Sequence, residues 1–244
     1  MSQELFDFVK KLHDESVELL RDVKFNAALP SDRLILGTYA SMIEFCGATV
    51  ILIDGGGYIA LPLVFRSFVE AYVHFSNVMK DATYVDHYNA SHHEHWTKVL
   101  KEREEPNPFL AGIHSHGERA SALRRHEEEL ARLKAAGVEP LNIRSRFERV
   151  GMLAEYQSVY LFESDYVHTS LQALMGRHFE LNEGRLGLAL YKARSLEDCL
   201  TRLDGTAAIL LAATGSVHEL YKSGREKDVA ALSQEFGKLQ ATYV

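Results

Sequence analysis

One predicted helix carries polar residues at a spacing that suits chemistry. Arg66, Glu70 and His74 follow one another at intervals of four residues, which places them in a line on one helix face. Their neighbours are almost all apolar, and a buried charge is costly unless a polar group pairs with it. The line is therefore expected to face other polar groups or a wet cavity. There Arg66 would clamp an anion, while Glu70 would orient Arg66 or act as a base.

A second polar line lies in a later predicted helix. Tyr160, Ser164 and His168 are again spaced four residues apart, and Ser170 follows. The two hydroxyl groups could donate hydrogen bonds, and a partly buried histidine titrates near neutrality, where general acid–base catalysis operates. Placed opposite Arg66 and Glu70, this line would complete a pocket in which Tyr160, Ser164 and His168 are catalytic, with His168 as the acid or base.

Three further residues are expected to bind a ligand in that pocket. Glu44 lies in the apolar helix before the first line, at a distance from the Gly55–Gly57 turn similar to that of Arg66. In an antiparallel helical hairpin the two residues would therefore meet at a similar depth. His74 and Ser170 extend the two polar lines and join Glu44 as predicted ligand-binding residues.

The two lines carry a resemblance to a known family. The segment Arg66-Ser67-Phe68-Val69-Glu70 resembles the R-S-x-x-E motif of a bacterial helical family, the domain of unknown function 5677, and residues 160–170 resemble its Y-x-x-x-S-x-x-x-H motif. The resemblance covers roughly residues 35–190, without the charged insert at about 104–150. The family is similar in character to all-α proteins of phage-defence and toxin systems, which implies a helical fold without defining a reaction.

Histidines between the two lines offer an alternative. His92 and His95 are three residues apart, a helical spacing that can chelate zinc, and His114 and His116 follow after a turn. No cysteine is near, and the HExxH pattern is absent. The sequence predicts no cofactor, and a divalent metal on these four histidines stays an open alternative.

Another pair of residues is similar to a nuclease pattern. Arg119 and His126 fit the loosest form of the arginine–histidine motif of HEPN-type ribonucleases, although Ala120 departs from it. Both residues lie in a strongly charged helix and not in a polar pocket. The two polar lines are therefore the better candidate for a catalytic site.

Composition excludes several classes of protein. The 244 residues include 34 acidic and 27 basic side chains, and the net charge of −7 argues against generic nucleic-acid binding. Two cysteines are too few for a disulfide scaffold and suit a reducing cytoplasm. No secretory signal is visible, and central charges in the two apolar helices argue against membrane insertion.

Periodicity predicts an all-α fold, a multi-helix bundle around a central buried helical hairpin. One short β-hairpin is expected near 178–191, where the apolar period changes and an Asn-Glu-Gly turn occurs. We expect one domain over 1–244, with a charged helical excursion at about 104–150. The predicted helices span residues 3–24, 30–53, 58–81, 116–135, 155–174, 195–221 and 225–241.

These features favour a cytoplasmic protein with a central polar pocket that binds a small anionic or nucleotide-like ligand or cleaves RNA, in a system of phage-defence or toxin type. If the protein is an enzyme, it would be a hydrolase or nuclease that uses His168. Two alternatives stay open: a non-enzymatic interaction protein with a structural polar network, and a metal-binding bundle. The sequence is also compatible with a homo-oligomer.

Overall fold

The apolar periodicity of the sequence produces a mainly α-helical protein, as predicted. The structure is a computed structural model, and it describes residues 2–101, 116–190, 192 and 194–242. Short 3-10 turns at Tyr58–Ala60 and Glu197–Cys199 precede two of the helices, and Tyr156–Tyr160 forms a π-helical turn. The helices are α1 (Ser2–Leu20), α2 (Pro30–Asp54), α3 (Leu61–Lys80), α4 (Tyr84–Lys101), α5 (His116–Ala135), α6 (Ile143–Arg149), α7 (Leu153–Glu155), α8 (Leu161–Val167), α9 (Leu171–His178), α10 (Leu200–Tyr221) and α11 (Glu226–Gln240).

The chain divides into two compact units. The first unit comprises Met1–Ser76 and Met152–Val244, and the second comprises Asn77–Gly151. The segment of about 104–150 belongs to the second unit, which also includes α4 because α4 packs against α5.

The core of the first unit forms where α1 packs against α2, α10 and α11. Its fully buried side chains are large and apolar, as a close-packed interior requires: Leu5, Leu12, Tyr39, Met42, Leu203 and Leu210. From α3 the core receives Phe65, Phe68, Val69 and Val73.

The α2 helix is less buried than its composition predicts. Its length and hydropathy would suffice to cross a membrane, but 39% of its apolar window is buried, and a core helix meets the same criterion. Glu44 lies on the exposed side of this helix, and Ile51 is exposed as well. The predicted central hairpin is therefore buried mainly through α3.

The break after α2 falls at the three glycines, as predicted. Gly56 has a φ of 71°, a left-handed conformation that suits glycine, and Gly57 N–H donates to the Leu52 carbonyl at 2.6 Å. This turn leads through the 3-10 turn Tyr58–Ala60 into α3. It therefore sets where α3, the helix that carries Arg66, begins after α2.

The helix predicted over 155–174 is interrupted. After the π-helical turn, α8 ends at Val167, and Thr169 adopts a φ of 52°. Ser170 then caps α9 by accepting a hydrogen bond from Ala173 N–H at 3.1 Å. This local capping interaction competes with the helical pattern, which therefore stops at His168, the residue that follows α8.

The predicted β-hairpin is confirmed. Strands β1 (Phe179–Asn182) and β2 (Arg185–Leu188) pair antiparallel, with Asn182 opposite Arg185. Glu183 and Gly184 both have positive φ, which is the conformation of a type I′ turn.

The second unit is built on α4 and α5, which run antiparallel, since Leu100 contacts Arg119 while His93 contacts His126. The α6 helix begins at an Asn142 cap, whose side chain accepts from Ser145 N–H at 2.9 Å. The buried side chains of this unit include Tyr84, Ala90, Leu100, Ala122, Leu133 and Phe147.

Candidate functional site

Four of the predicted site residues meet in the first unit. The Arg66 guanidinium donates through Nη2 to Glu70 Oε1 at 2.8 Å and to the Tyr160 hydroxyl at 2.5 Å. Arg66 Nε donates to Ser164 Oγ at 3.0 Å, and the guanidinium lies 4.9 Å from the centre of the Tyr160 ring. The two helical lines therefore face each other, and the Arg66 side chain reaches from the first line to Tyr160 and Ser164 of the second.

Tyr160 connects the basic and acidic members of this group. Its hydroxyl donates to Glu70 Oε1 at 2.5 Å while it accepts from Arg66. Burial, together with the hydrogen bond to Glu70, raises the pKa of Tyr160 to about 12. Tyr160 is therefore a protonated phenol at neutral pH and a hydrogen-bond donor.

This Arg66 network is largely closed. Arg66 and Glu70 retain 24% and 31% of their side-chain exposure, but their hydrogen-bonding groups are directed at each other and at two hydroxyl groups. Two pockets of the first unit are lined by Arg202, and none of Arg66, Glu70, Tyr160 and Ser164 lines either of them. The geometry suits a network that joins α3 to the α8 region.

The other predicted members lie elsewhere. His168 follows the last residue of α8 and is exposed, and its ring makes no hydrogen bond to the described part of the chain. Glu44 is exposed on α2, and His74 is half-buried in α3. Ser170 is occupied as the cap of α9 and donates to Asp165 Oδ2 at 2.6 Å.

A basic pocket lies near the glycine turn of the first unit. It has a volume of about 260 Å³ and receives four cationic side chains and one carboxylate, Asp198. Gly55–Gly57 and Tyr58 form another part of its wall. The cationic residues are Arg177, Lys192, Arg194 and Arg202.

Backbone carbonyls hold three of these cations. Lys192 Nζ donates to the Phe179 carbonyl at 3.3 Å, and Arg194 Nη2 to the Gly176 carbonyl at 3.4 Å. Arg177 donates to the Tyr166 carbonyl. A neutral carbonyl positions a cation without cancelling its charge, so the pocket keeps a positive character.

The fourth cation, Arg202, belongs to a buried ion pair. Its Nη2 lies 3.0 Å from Glu163 Oε1 and 3.1 Å from Oε2, and only 6% of the Glu163 side chain is exposed. Burial raises the pKa of Glu163 above its ordinary value, and Arg202 acts in the opposite direction. The buried Nε of Arg202 has no hydrogen-bond partner within the described residues.

A larger, mainly apolar pocket adjoins the basic pocket. Its volume is about 780 Å³, and it shares Tyr166, Arg194, Asp198 and Arg202 with the basic pocket. Its apolar wall includes Phe65, Val69, Met152, Phe162 and Ile209. Pockets of this size with a few convergent polar groups are typical of small-molecule sites.

Cys199 also lines the basic pocket, but its chemistry is unsuited to nucleophilic attack. The residue is buried, and burial raises the pKa of its thiol. The thiol therefore stays protonated, and a protonated thiol is a poor nucleophile.

Sequence reasoning missed both pockets. The charged residues of the basic pocket come from the end of α9, the segment after the β-hairpin, the 3-10 turn Glu197–Cys199 and the start of α10, and so follow no single helical period. The available signal was the stretch 184–196, which carries Arg185, Lys192 and Arg194 and no acidic residue in an acidic chain.

The histidines assemble differently from the predicted set. His92 is joined by its neighbour His93 and by His126 of α5, and their ligand atoms lie within 4.8 Å of one another. His95 is exposed. His114 and the side chain of His116 lie outside the described residues.

Burial lowers the pKa of His93 and of His126, and the nearby histidines act in the same direction.

The nuclease-like pair of Arg119 and His126 is divided between different contacts. Arg119 donates to the Leu100 carbonyl through Nε at 3.3 Å and Nη2 at 3.0 Å, whereas His126 belongs to the histidine cluster.

The fold and site thus define a mainly α-helical protein with a closed arginine network beside a basic pocket. The model of a family of unknown function, DUF5677, matches residues 32–185, more than half of the chain, and the protein belongs to this family. The match contains the Arg66 network and ends before Lys192, Arg194 and Arg202. No curated protein and no solved structure matches the chain.

Proposed function

We propose that the protein binds a small anionic, nucleotide-like ligand across the two adjoining pockets of its first unit. One observation carries this proposal: Arg177, Lys192 and Arg194 are held by neutral backbone carbonyls around one cavity, whereas the only carboxylate of its described lining is Asp198. Asp198 is itself engaged, because its Oδ2 accepts from Ser195 N–H at 2.8 Å.

The pair of pockets matches a ligand with two chemical parts. Phosphate oxygens accept charge-assisted hydrogen bonds from arginine and lysine, which suits the smaller pocket. An apolar or aromatic ring suits the wall of Phe65, Val69 and Phe162 in the larger pocket. The shared residues Arg194 and Tyr166 would lie where the two parts of the ligand join.

The test uses adenosine monophosphate as the probe, with adenosine and inorganic phosphate for comparison. Isothermal titration calorimetry on the full chain should show that the monophosphate binds more tightly than either part alone. Arg194→Gln should weaken its binding about 10–100-fold, since a hydrogen bond to a charged group contributes about 1.5–3 kcal/mol.

Arg185→Gln is the matched control, because Arg185 is an exposed arginine of β2 outside both pocket linings. It should leave the affinity unchanged. Circular dichroism checks that both variants fold. The proposal is wrong if the monophosphate shows no saturable binding, or if the two variants bind it equally.

RNA cleavage by His168 stays a sequence-based prediction. In the structure His168 is exposed, and its ring makes no hydrogen bond to Arg66, Glu70 or Ser164, so the geometry favours ligand binding. The cytoplasmic location and the phage-defence or toxin role are further predictions, which the ligand test does not address.

A further inference from the structure

A cluster of three histidines lies in the second unit, whereas both pockets belong to the first. His92 and His93 are consecutive on α4, and His126 reaches them from α5. The Nδ1 atoms of His93 and His126 are 2.9 Å apart, and one ligand atom from each of the three rings lies within 4.8 Å of the others. The α4–α5 pair therefore directs three imidazoles at one point.

The spacing of these nitrogen atoms is close to that of a metal site. With zinc–nitrogen bonds of about 2.0–2.1 Å in tetrahedral geometry, ligand nitrogens lie about 3.3 Å apart. His93 and His126 would need to separate by a few tenths of an ångström, and His92 to approach by a rotation of its exposed side chain. These are side-chain adjustments that leave the helices in place.

We propose that His92, His93 and His126 bind a divalent transition metal of the zinc class. Imidazole is a preferred ligand of such metals. His92 is on the exposed side of the cluster, so a fourth position is accessible to water, as in sites with three protein ligands. This proposal does not rest on the ligand proposed for the first unit.

The cluster contains its own spectroscopic reporter. Trp96 is the single tryptophan of the chain, and its ring stacks on His126 with centroids 6.2 Å apart. It also makes an edge contact with His92 at 6.4 Å. A paramagnetic metal bound by these histidines should therefore quench the tryptophan fluorescence.

The experiment titrates Co²⁺ into the full chain, purified without a histidine tag and freed of metal. The expected result is one equivalent of Co²⁺ with visible absorption bands of low-coordinate cobalt and quenching of Trp96, both reversed by Zn²⁺. His93→Ala and His126→Ala should each weaken binding at least about 100-fold, because loss of even an outer-shell partner can cost 10–100-fold.

His95→Ala is the matched control. His95 lies on the same helix and contacts Trp96 with ring centroids 6.0 Å apart, but it is outside the cluster. It should bind Co²⁺ as the unaltered chain does, and circular dichroism verifies the fold of every variant. Absence of stoichiometric binding, or an equal loss in His95→Ala and His126→Ala, would overturn the proposal.

Discussion

Two of the arginine–glutamate pairs in the first unit, Arg66–Glu70 and Arg202–Glu163, differ in origin and surroundings. Arg66 and Glu70 are one turn apart on α3, and both are partly exposed. Arg202 and Glu163 come from α10 and α8, and the glutamate is almost fully buried. The local pair is enclosed by two hydroxyl groups, whereas in the long-range pair Arg202 lines both pockets and Glu163 lines the larger one.

This difference separates a closed network from the pocket that we propose to bind a ligand. The hydrogen bonds of the Arg66 network are made within the protein and join elements that are distant in sequence. Around Arg202 the neighbouring cations contact neutral carbonyls, and charge remains available to a ligand. If the proposed ligand binds, a cation held by neutral carbonyls is a stronger indication of a site than a polar residue in an apolar helix.

The largest expected effect comes from breaking the buried pair. Arg202→Met leaves the Glu163 carboxylate buried and unpaired, which should lower the free energy of unfolding by about 3–5 kcal/mol. Arg66→Met should cost less, about 1–2 kcal/mol, because Glu70 is partly hydrated and keeps its bond from Tyr160. Urea unfolding followed by circular dichroism measures both.

The double variant Glu163→Leu with Arg202→Met provides the control. Removing both charges should recover much of the lost stability, since a buried pair can often be replaced by apolar side chains. Equal losses in Arg66→Met and Arg202→Met would contradict the distinction between the two pairs.

An intermediate effect is expected where the helices that carry the two arginines touch. A Cβ atom at Gly205 of α10 would lie 2.8 Å from Cζ of Phe65, the residue before Arg66. Phe65 is buried, so Gly205→Ala should destabilise the protein by about 1–3 kcal/mol.

Gly237→Ala is the comparison, because a Cβ there meets nothing within 4 Å. Gly237 lies within α11, where replacing glycine by alanine should stabilise the protein by about 0.5–1 kcal/mol. Thermal unfolding distinguishes the two; stabilisation by Gly205→Ala would show that α3 and α10 are not in close contact at this point.

The smallest expected effect is a pH dependence of stability. The pKa of Glu163 is raised in the folded state above its unfolded value, mainly by burial. The protonated Glu163 therefore contributes to the free energy of unfolding. This contribution is complete below the pKa of the unfolded state and is lost as the pH rises through the pKa of the folded state. Between about pH 4.5 and neutrality, stability should fall in the unaltered chain relative to Glu163→Gln.

Arg202 limits the size of this pH dependence, because it lowers the pKa of Glu163 whereas burial raises it. Unfolding free energies measured across this pH range test it, with Glu219→Gln, an exposed glutamate of α10, as the control for loss of one charge. Parallel pH profiles for the unaltered chain and Glu163→Gln would count against the prediction.

Sequence periodicity predicted the parts of the site that follow a helix. Arg66, Glu70, Tyr160 and Ser164 were found because a spacing of four residues places side chains on one face. His168 has the same spacing, but α8 ends at Val167, because Thr169 has a positive φ and Ser170 begins the next helix as its cap. Local hydrogen bonding there prevailed over the helical period.

The residues of the proposed binding pockets could not be found in the same way. Glu163 and Arg202 pair across separate helices, and neither Lys192 nor Arg194 belongs to a described helix or strand. The histidine cluster was only partly predicted: His92 was among the candidates, but its partners include a neighbour on the same helix and a residue of α5. Tertiary packing decides such contacts, and spacing in one sequence does not encode them.

The π-helical turn Tyr156–Tyr160 sets the phase between the arginine network and the pocket wall. Ser158 and Val159 line the larger pocket, while Tyr160 contacts Arg66. A π-helical turn contains about one residue more than an α-helical turn, so deleting one residue here would give a continuous α-helix and leave the segments on either side close to their present phase. A chain with one residue fewer in this turn could therefore keep α8 and the segment before the turn on their present faces, while one of Ser158, Val159 and Tyr160 would lose its place in the pocket wall or in the Arg66 network.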